Sequence, residues 1–153
     1  MAKNERLGTD AWRAFHDIRV TLLPPLIKHL SDKCGVTEAE YQVFVGLRSA
    51  ENQMLKPTQI AEALGWDIGR VSHQVSRMES KGLLVRQQCP TDARSCWIGM
   101  TPKGKDLVEN AFPLQMKEVD RLFIQALSQE QLKSLIEISE VIKKNVSEKL
   151  KAD

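Results

Sequence analysis

The residues in this chain best suited to chemistry lie in one stretch, from Asp67 to Lys81. Arg70, His73 and Arg77 recur there at spacings of three and four, with Ser72, Gln74 and Ser76 between them. At about 100° per residue, Gly69, Arg70, His73 and Arg77 share one side of a helix, and Gln74 and Ser76 flank it. Val71, Val75 and Met78 take the other side at i, i+4 and i+7, as a core-facing stripe does. The polar side is basic and rich in hydrogen-bonding groups, properties that the major groove of a duplex selects. Arginine can grip guanine O6 and N7 with two bonds, and histidine or glutamine can bond base edges. Gly69 allows close backbone approach. Ser72 and the free amides of a helix start suit phosphates, and Thr58, opening the preceding helix, is a second phosphate candidate. The alternative for such a face is a solvated surface on an ordinary core helix.

A second basic group, Arg94, sits in the polar run Pro90-Thr91-Asp92-Ala93-Arg94-Ser95. At the tip of a hairpin it could enter a narrow minor groove, where the potential is most negative. Asp92 cannot favour DNA by charge and is read as holding Arg94 in place, with Ser95 beside them. A plain turn with solvated charges is the alternative.

Other reactive groups point nowhere so definite. Cys34, Cys89 and Cys96 are odd in number and lack the close pairing of zinc sites. Cys89 and Cys96 flank the six-residue turn; a bridge between them would make an oxidant switch that stiffens or distorts the hairpin, and free thiols are the plainer account. Cys34 reads as a buried thiol. His16 and His29 stand 13 positions apart, too far to share a metal. No metal, cofactor or catalytic role is expected, since no glycine-rich phosphate loop, Gly-x-Ser-x-Gly elbow or ligand cluster occurs. Trp12, Phe15 and His16 could line an effector pocket, but core or interface packing accounts for them more simply. Trp66 could pack on the first helix or clamp the backbone, and its sequence context does not decide.

The elements that must position these groups follow from periodicity. Residues 10–33 read as a long helix, with Pro24-Pro25 expected to kink it and Gly35 to end it. Thr37-Glu38-Ala39-Glu40 is a capping box for a second helix. After a connector over 52–57, short helices over 58–64 and 68–81 meet at a tight turn containing Gly65, with Asp67 as the cap. The period then changes to two. Strands over 83–89 and 96–100 form a hairpin around the polar turn. Thr101-Pro102 opens a fifth helix, with Pro113 as a kink, and Ser128-Gln129-Glu130-Gln131 caps a sixth. The expected class is mainly α with a small β-hairpin wing: a winged helix-turn-helix at 36–101, a dimerisation helix at 1–35 and two more at 102–153.

Charge supports the placement. The 153 residues carry a net +2, but residues 54–105 hold eight Lys and Arg against four Asp and Glu. The N-terminal part is balanced and the C-terminal part is acidic, so a polyanion would meet the middle third. Apolar residues at 42% and charged residues at 27% suit a folded domain, and no run approaches the roughly 20 apolar residues of a membrane span. The polar start of the chain lacks a signal core, so a cytoplasmic protein is expected.

With these elements placed, the chain resembles the multiple-antibiotic-resistance regulator (MarR) family. The resemblance rests on the segments Gln59–Gly65, Val71–Leu84, Cys89–Ser95 and Met100–Gly104. The Asp-x-Arg wing followed by the Thr-Pro-x-Gly helix start is its more specific part. It implies a homodimer joined through the first, fifth and sixth helices, a pseudo-palindromic site in double-stranded DNA and, in many members, release by a small aromatic or phenolic ligand. A repressor is the reading it favours. A thiol-based redox regulator and a helical ligand-binding dimer that has lost DNA binding are the alternatives.

Overall fold

A computed structural model describes the backbone of residues 3–89 and 92–152 and the side chains of residues 5–88 and 96–151. The elements run α1 (Lys3–His29), a π-helical turn (Leu30–Cys34), α2 (Glu38–Ser49), β1 (Met54–Leu55), α3 (Pro57–Leu64) and α4 (Ile68–Ser80). They continue with β2 (Leu84–Cys89), β3 (Asp92–Met100), α5 (Pro102–Leu122), a 3-10 turn (Ile124–Ala126) and α6 (Gln129–Ala152). The fold is the expected one, mainly helical with a small antiparallel sheet of order β1-β3-β2. The chain divides into two compact units, Met1–Met116 and Lys117–Asp153.

The helix starts lie where local chemistry puts them. The Glu40 amide donates to Thr37 Oγ1 (3.2 Å) and the Thr37 amide to Glu40 Oε2 (2.9 Å), a reciprocal box that satisfies two orphan donors. Ser128 and Gln131 repeat it for α6 at 3.2 and 2.8 Å. Gly35, Gly65 and Gly82 close helices at φ of 64°, 64° and 71°, where a side chain would be strained.

Three expectations need correction. α1 begins at Lys3, seven residues before the expected start, because the polar residues before Asp10 form helix without an apolar period to mark it. It also runs through Pro24 and Pro25 as one helix, and α5 does the same through Pro113. A missing donor frees a carbonyl one turn back without ending an otherwise well-formed helix. The π-turn follows α1 directly and ends at Gly35. The connector over 52–57 contains β1, whose Met54 and Leu55 pair with Gly99 and Ile98. Asn52 and Gln53, at φ of 44° and 53°, turn the chain into it. Finally, β3 starts at Asp92, so the hairpin is longer and its turn shorter than the polar run suggested. In the backbone register Cys96 lies opposite Gln88, and Cys89 lies opposite Asp92 across a shift. Cys96 is a free thiol.

The core of the first unit joins α2, α3, α4 and the sheet. Phe44, Leu47, Val71, Met78 and Ile98 are all 0% exposed. A polar node ties the end of α1 to α5. His29 Nδ1 and Gln115 Oε1 are 3.0 Å apart, Gln115 Nε2 donates to the Leu26 carbonyl (3.3 Å), and the Cys34 thiol contacts the Ala111 carbonyl (3.8 Å). Burial pushes the Cys34 thiol up from its ordinary value, which leaves little thiolate for redox chemistry near neutrality.

α1 leaves Trp12 at 70% exposure, with Phe15 and Ile18 also open to solvent. In the second unit α6 likewise exposes Ile136, Val141 and Leu150, the last at 72%. Patches of this kind on a folded chain mark interaction surfaces.

The start of α5 presses on the corner between α4 and β2. Thr101 Oγ1 accepts from the Gly104 amide (3.1 Å) and donates to the Gly82 carbonyl (2.6 Å), and Lys103 Nζ reaches the Lys81 carbonyl (2.8 Å). A Cβ on Gly104 would lie 2.1 Å from the Leu83 carbonyl oxygen. That atom belongs to backbone and cannot swing aside. Gly104→Ala should therefore destabilise the protein by about 1–3 kcal/mol or more, read as a lower urea midpoint. A wild-type midpoint would show that the corner can open.

Candidate nucleic-acid interface

α3 and α4 form a helix-turn-helix whose geometry is set residue by residue. Pro57 occupies the first turn of α3, and the Lys56 amide is capped by Gln59 Oε1 at 2.8 Å. Gly65 ends α3 in the left-handed region, and the Trp66 amide donates back to the Ala61 carbonyl (3.0 Å). Asp67 then caps α4, its Oδ1 accepting from the Arg70 amide at 2.8 Å. A Cβ on Gly69 would come within 3.1 Å of that same oxygen, so the glycine keeps the cap uncrowded as well as the surface flat.

α4 turns Val71, Val75 and Met78 wholly inward. Gly69, Arg70, Ser72, His73, Ser76 and Arg77 are consequently exposed together, and Gln74 is half-buried at the margin. Thr58, near the start of α3, is exposed. The expected reading residues thus occupy one face. The wing residues Asp92, Arg94 and Ser95 have side chains outside the described residues, as does Cys89. Trp12, Phe15 and His16 are all exposed, with the Trp12 and Phe15 rings 5.8 Å apart. A cleft of about 430 Å³ opens elsewhere, where Asn52, Met54 and Gln59 face Gln88 and Trp97.

Three contacts at this surface were not legible in the sequence. Arg86 of β2 donates to Glu79 (2.8 Å) and to Ser76 Oγ (3.1 Å), which fixes the hairpin to α4 and occupies one of the expected reading residues. Lys56 lies over the Trp97 ring at 5.2 Å, joining the start of α3 to β3. The Arg70 guanidinium carbon lies 4.0 Å from the centre of the Trp66 ring. Each joins residues that only the fold, or a tight turn, brings together.

The far end of α4 is anchored electrostatically. Lys81 Nζ lies 2.5 Å from Glu40 Oε1, and Glu40 is only 4% exposed. Burial opposes ionisation of Glu40. The Lys81 ammonium and the Thr37 amide and hydroxyl outweigh it, holding the carboxyl below the usual glutamate range.

Comparison with known proteins agrees with this geometry. A family model described as the MarR family matches residues 36–96. The HTH-type transcriptional regulator MhqR of Bacillus subtilis (strain 168) is 32% identical over 111 residues, spanning 72% of this chain and 74% of that protein. The crystal structure of AbsC, a MarR family transcriptional regulator from Streptomyces coelicolor, superposes with a TM-score of 0.86 at 27% identity, covering 96% of this chain and 97% of that one. Sco3205, a MarR family regulator from the same organism solved in complex with DNA, gives 0.85 at 26% identity over 95% and 93%.

The lowered Glu40 value has a consequence for acid stability. A carboxyl whose folded value lies below its unfolded one stabilises the fold above the unfolded value. That contribution is lost as pH falls through the folded value. Glu40→Gln keeps the cap acceptor but removes the charge. It should cost about 1 kcal/mol at pH 7, a small figure because the Lys81 ammonium is more than half exposed. The gap to wild type should close below about pH 4 in denaturant titrations. A gap independent of pH would mean that the pair contributes nothing.

Proposed function

The chain belongs to the MarR family, and on that premise we propose that it is a sequence-specific DNA-binding regulator of transcription, acting as a homodimer and most simply as a repressor. The observation that carries this reading is the exposed face of α4, basic and hydrogen-bonding, backed by a buried apolar stripe. In the proposed complex Arg70, His73 and Arg77, with Gly69 and Gln74, meet base edges in the major groove. Thr58 and Ser72 contact phosphates. Ser76 acts through Arg86, which holds the hairpin against α4. Arg94 enters the adjacent minor groove, with Asp92 and Ser95 positioning it.

Residues 36–101 form the DNA-reading part on this proposal, and residues 1–35 and 102–153 the dimerisation part. The exposed apolar residues of α1 and α6 support a second copy as what covers them. Two-fold symmetry then sets half-sites about one helical turn apart. Release by a small aromatic or phenolic effector belongs to the same reading. On the same reading the protein is a binding protein with no catalytic role, and it works in the cytoplasm. The hairpin register and the raised Cys34 value lend no support to a thiol switch.

Selection of bound sequences from random DNA tests the reading. It should return a pseudo-palindrome. Affinity should fall with salt at a slope of roughly −0.9 per phosphate contact. Arg94→Ala should weaken binding across most sequences. Arg70→Ala should lose about 1–3 kcal/mol and blur preference at one base pair in each half-site. If both variants bind the selected operator like wild type, this surface does not read DNA.

A further inference from the structure

Trp66 stands in the three-residue turn between α3 and α4, and its position is fixed from two sides. Its amide donates to the Ala61 carbonyl (3.0 Å), and its half-buried ring packs against the hydrophobic core. Arg70, four residues on, is fixed through its backbone, since its amide donates to the Asp67 cap at 2.8 Å. Its side chain is exposed, and the guanidinium carbon lies 4.0 Å from the centre of the indole ring. Beyond that ring, the guanidinium has no hydrogen-bond or ion-pair partner among the described residues.

We infer that Trp66 is a positioning residue that sets base specificity: its ring holds the Arg70 guanidinium at the leading edge of α4, with the hydrogen-bonding edge left free. The chemistry of the two groups favours this arrangement. A planar cation over an indole is attracted through its face. The five N–H donors of guanidinium lie in its plane, so stacking leaves them unused. A guanine presents two acceptors, O6 and N7, which an in-plane fork can meet together. A long side chain held in one orientation before binding loses less freedom when it binds. Lysine could not substitute for Arg70, because an ammonium has neither the face to stack nor the fork to read.

The inference rests on the proposal that the α4 face reads DNA, and a double-mutant cycle separates the two. Binding of Trp66→Leu, Arg70→Ala and the double variant is measured by fluorescence anisotropy. The DNAs are the selected operator and operators changed at each base pair of one half-site. Trp66→Leu should bind the operator about 3–10-fold more weakly, while Trp66→Phe keeps most of the affinity. The loss should concentrate at the base pair whose preference Arg70→Ala blurs. In the Arg70→Ala background Trp66→Leu should cost less than about 2-fold, since the group it positions is gone. Preference between two sequences is a ratio, so a variant that is partly unfolded still reports it. An equal cost of Trp66→Leu with and without Arg70, or tighter binding by Trp66→Leu, would overturn the inference, the second by showing that the ring parks the arginine away from DNA. If Arg70→Ala itself changes neither affinity nor preference, the proposed reading face falls instead.

Discussion

The burial of Val71, Val75 and Met78 is the constraint from which the rest of this surface follows. Three apolar side chains at i, i+4 and i+7 fix the rotation of α4 about its own axis, because any other rotation would expose them and bury charge. With that angle set, the positions of Arg70, His73 and Arg77 are no longer free to vary. The same contact joins α4 to α2, α3 and the sheet through Phe44, Leu47, Ile60 and Ile98. A recognition surface needs side chains held to a fraction of an ångström, and here a close-packed core supplies that stiffness.

Rotation alone does not fix where a helix begins and ends in space, and two different devices do so. At the start, the Asp67 carboxylate satisfies an orphan amide and sets the direction of the first turn. At the end, Lys81 reaches the buried Glu40 of α2, and the carbonyls of Lys81 and Gly82 accept from Lys103 of α5 and from Thr101 just before it. The Gly104 approach to Leu83 matters because it is backbone against backbone. A movement of the start of α5 would therefore be passed to the end of α4 and to β2 without side chains to absorb it.

Local signals were legible in the sequence, and contacts between distant residues were not. The boxes at Thr37 and Ser128, the Asp67 cap and the glycines at 35, 65 and 82 all act within a few residues, so residue type and spacing disclose them. The stripe on α4 was readable for the same reason. β1 escaped because two residues carry no period, and pairing with Gly99 and Ile98 is what makes them a strand. The run from Asp92 to Ser95 read as a turn because polar residues suit a turn and a strand arm equally well. Arg86 and Lys56 make their contacts through the hairpin's return, and no spacing announces that.

The charge distribution has a meaning that the total of +2 hides. An excess concentrated in residues 54–105 attracts a polyanion to that part of the chain. Such attraction is independent of sequence and weakens with salt, so it brings the face to DNA without choosing a site. Choice must come from groups whose geometry is already set when they arrive. Arg70 meets that requirement more fully than its neighbours, because its amide is tied to Asp67 and its guanidinium to Trp66. Arg77 and His73 share the exposure without a comparable anchor among the described residues. On the proposed function, discrimination should accordingly be sharpest at the start of α4 and softer along its length.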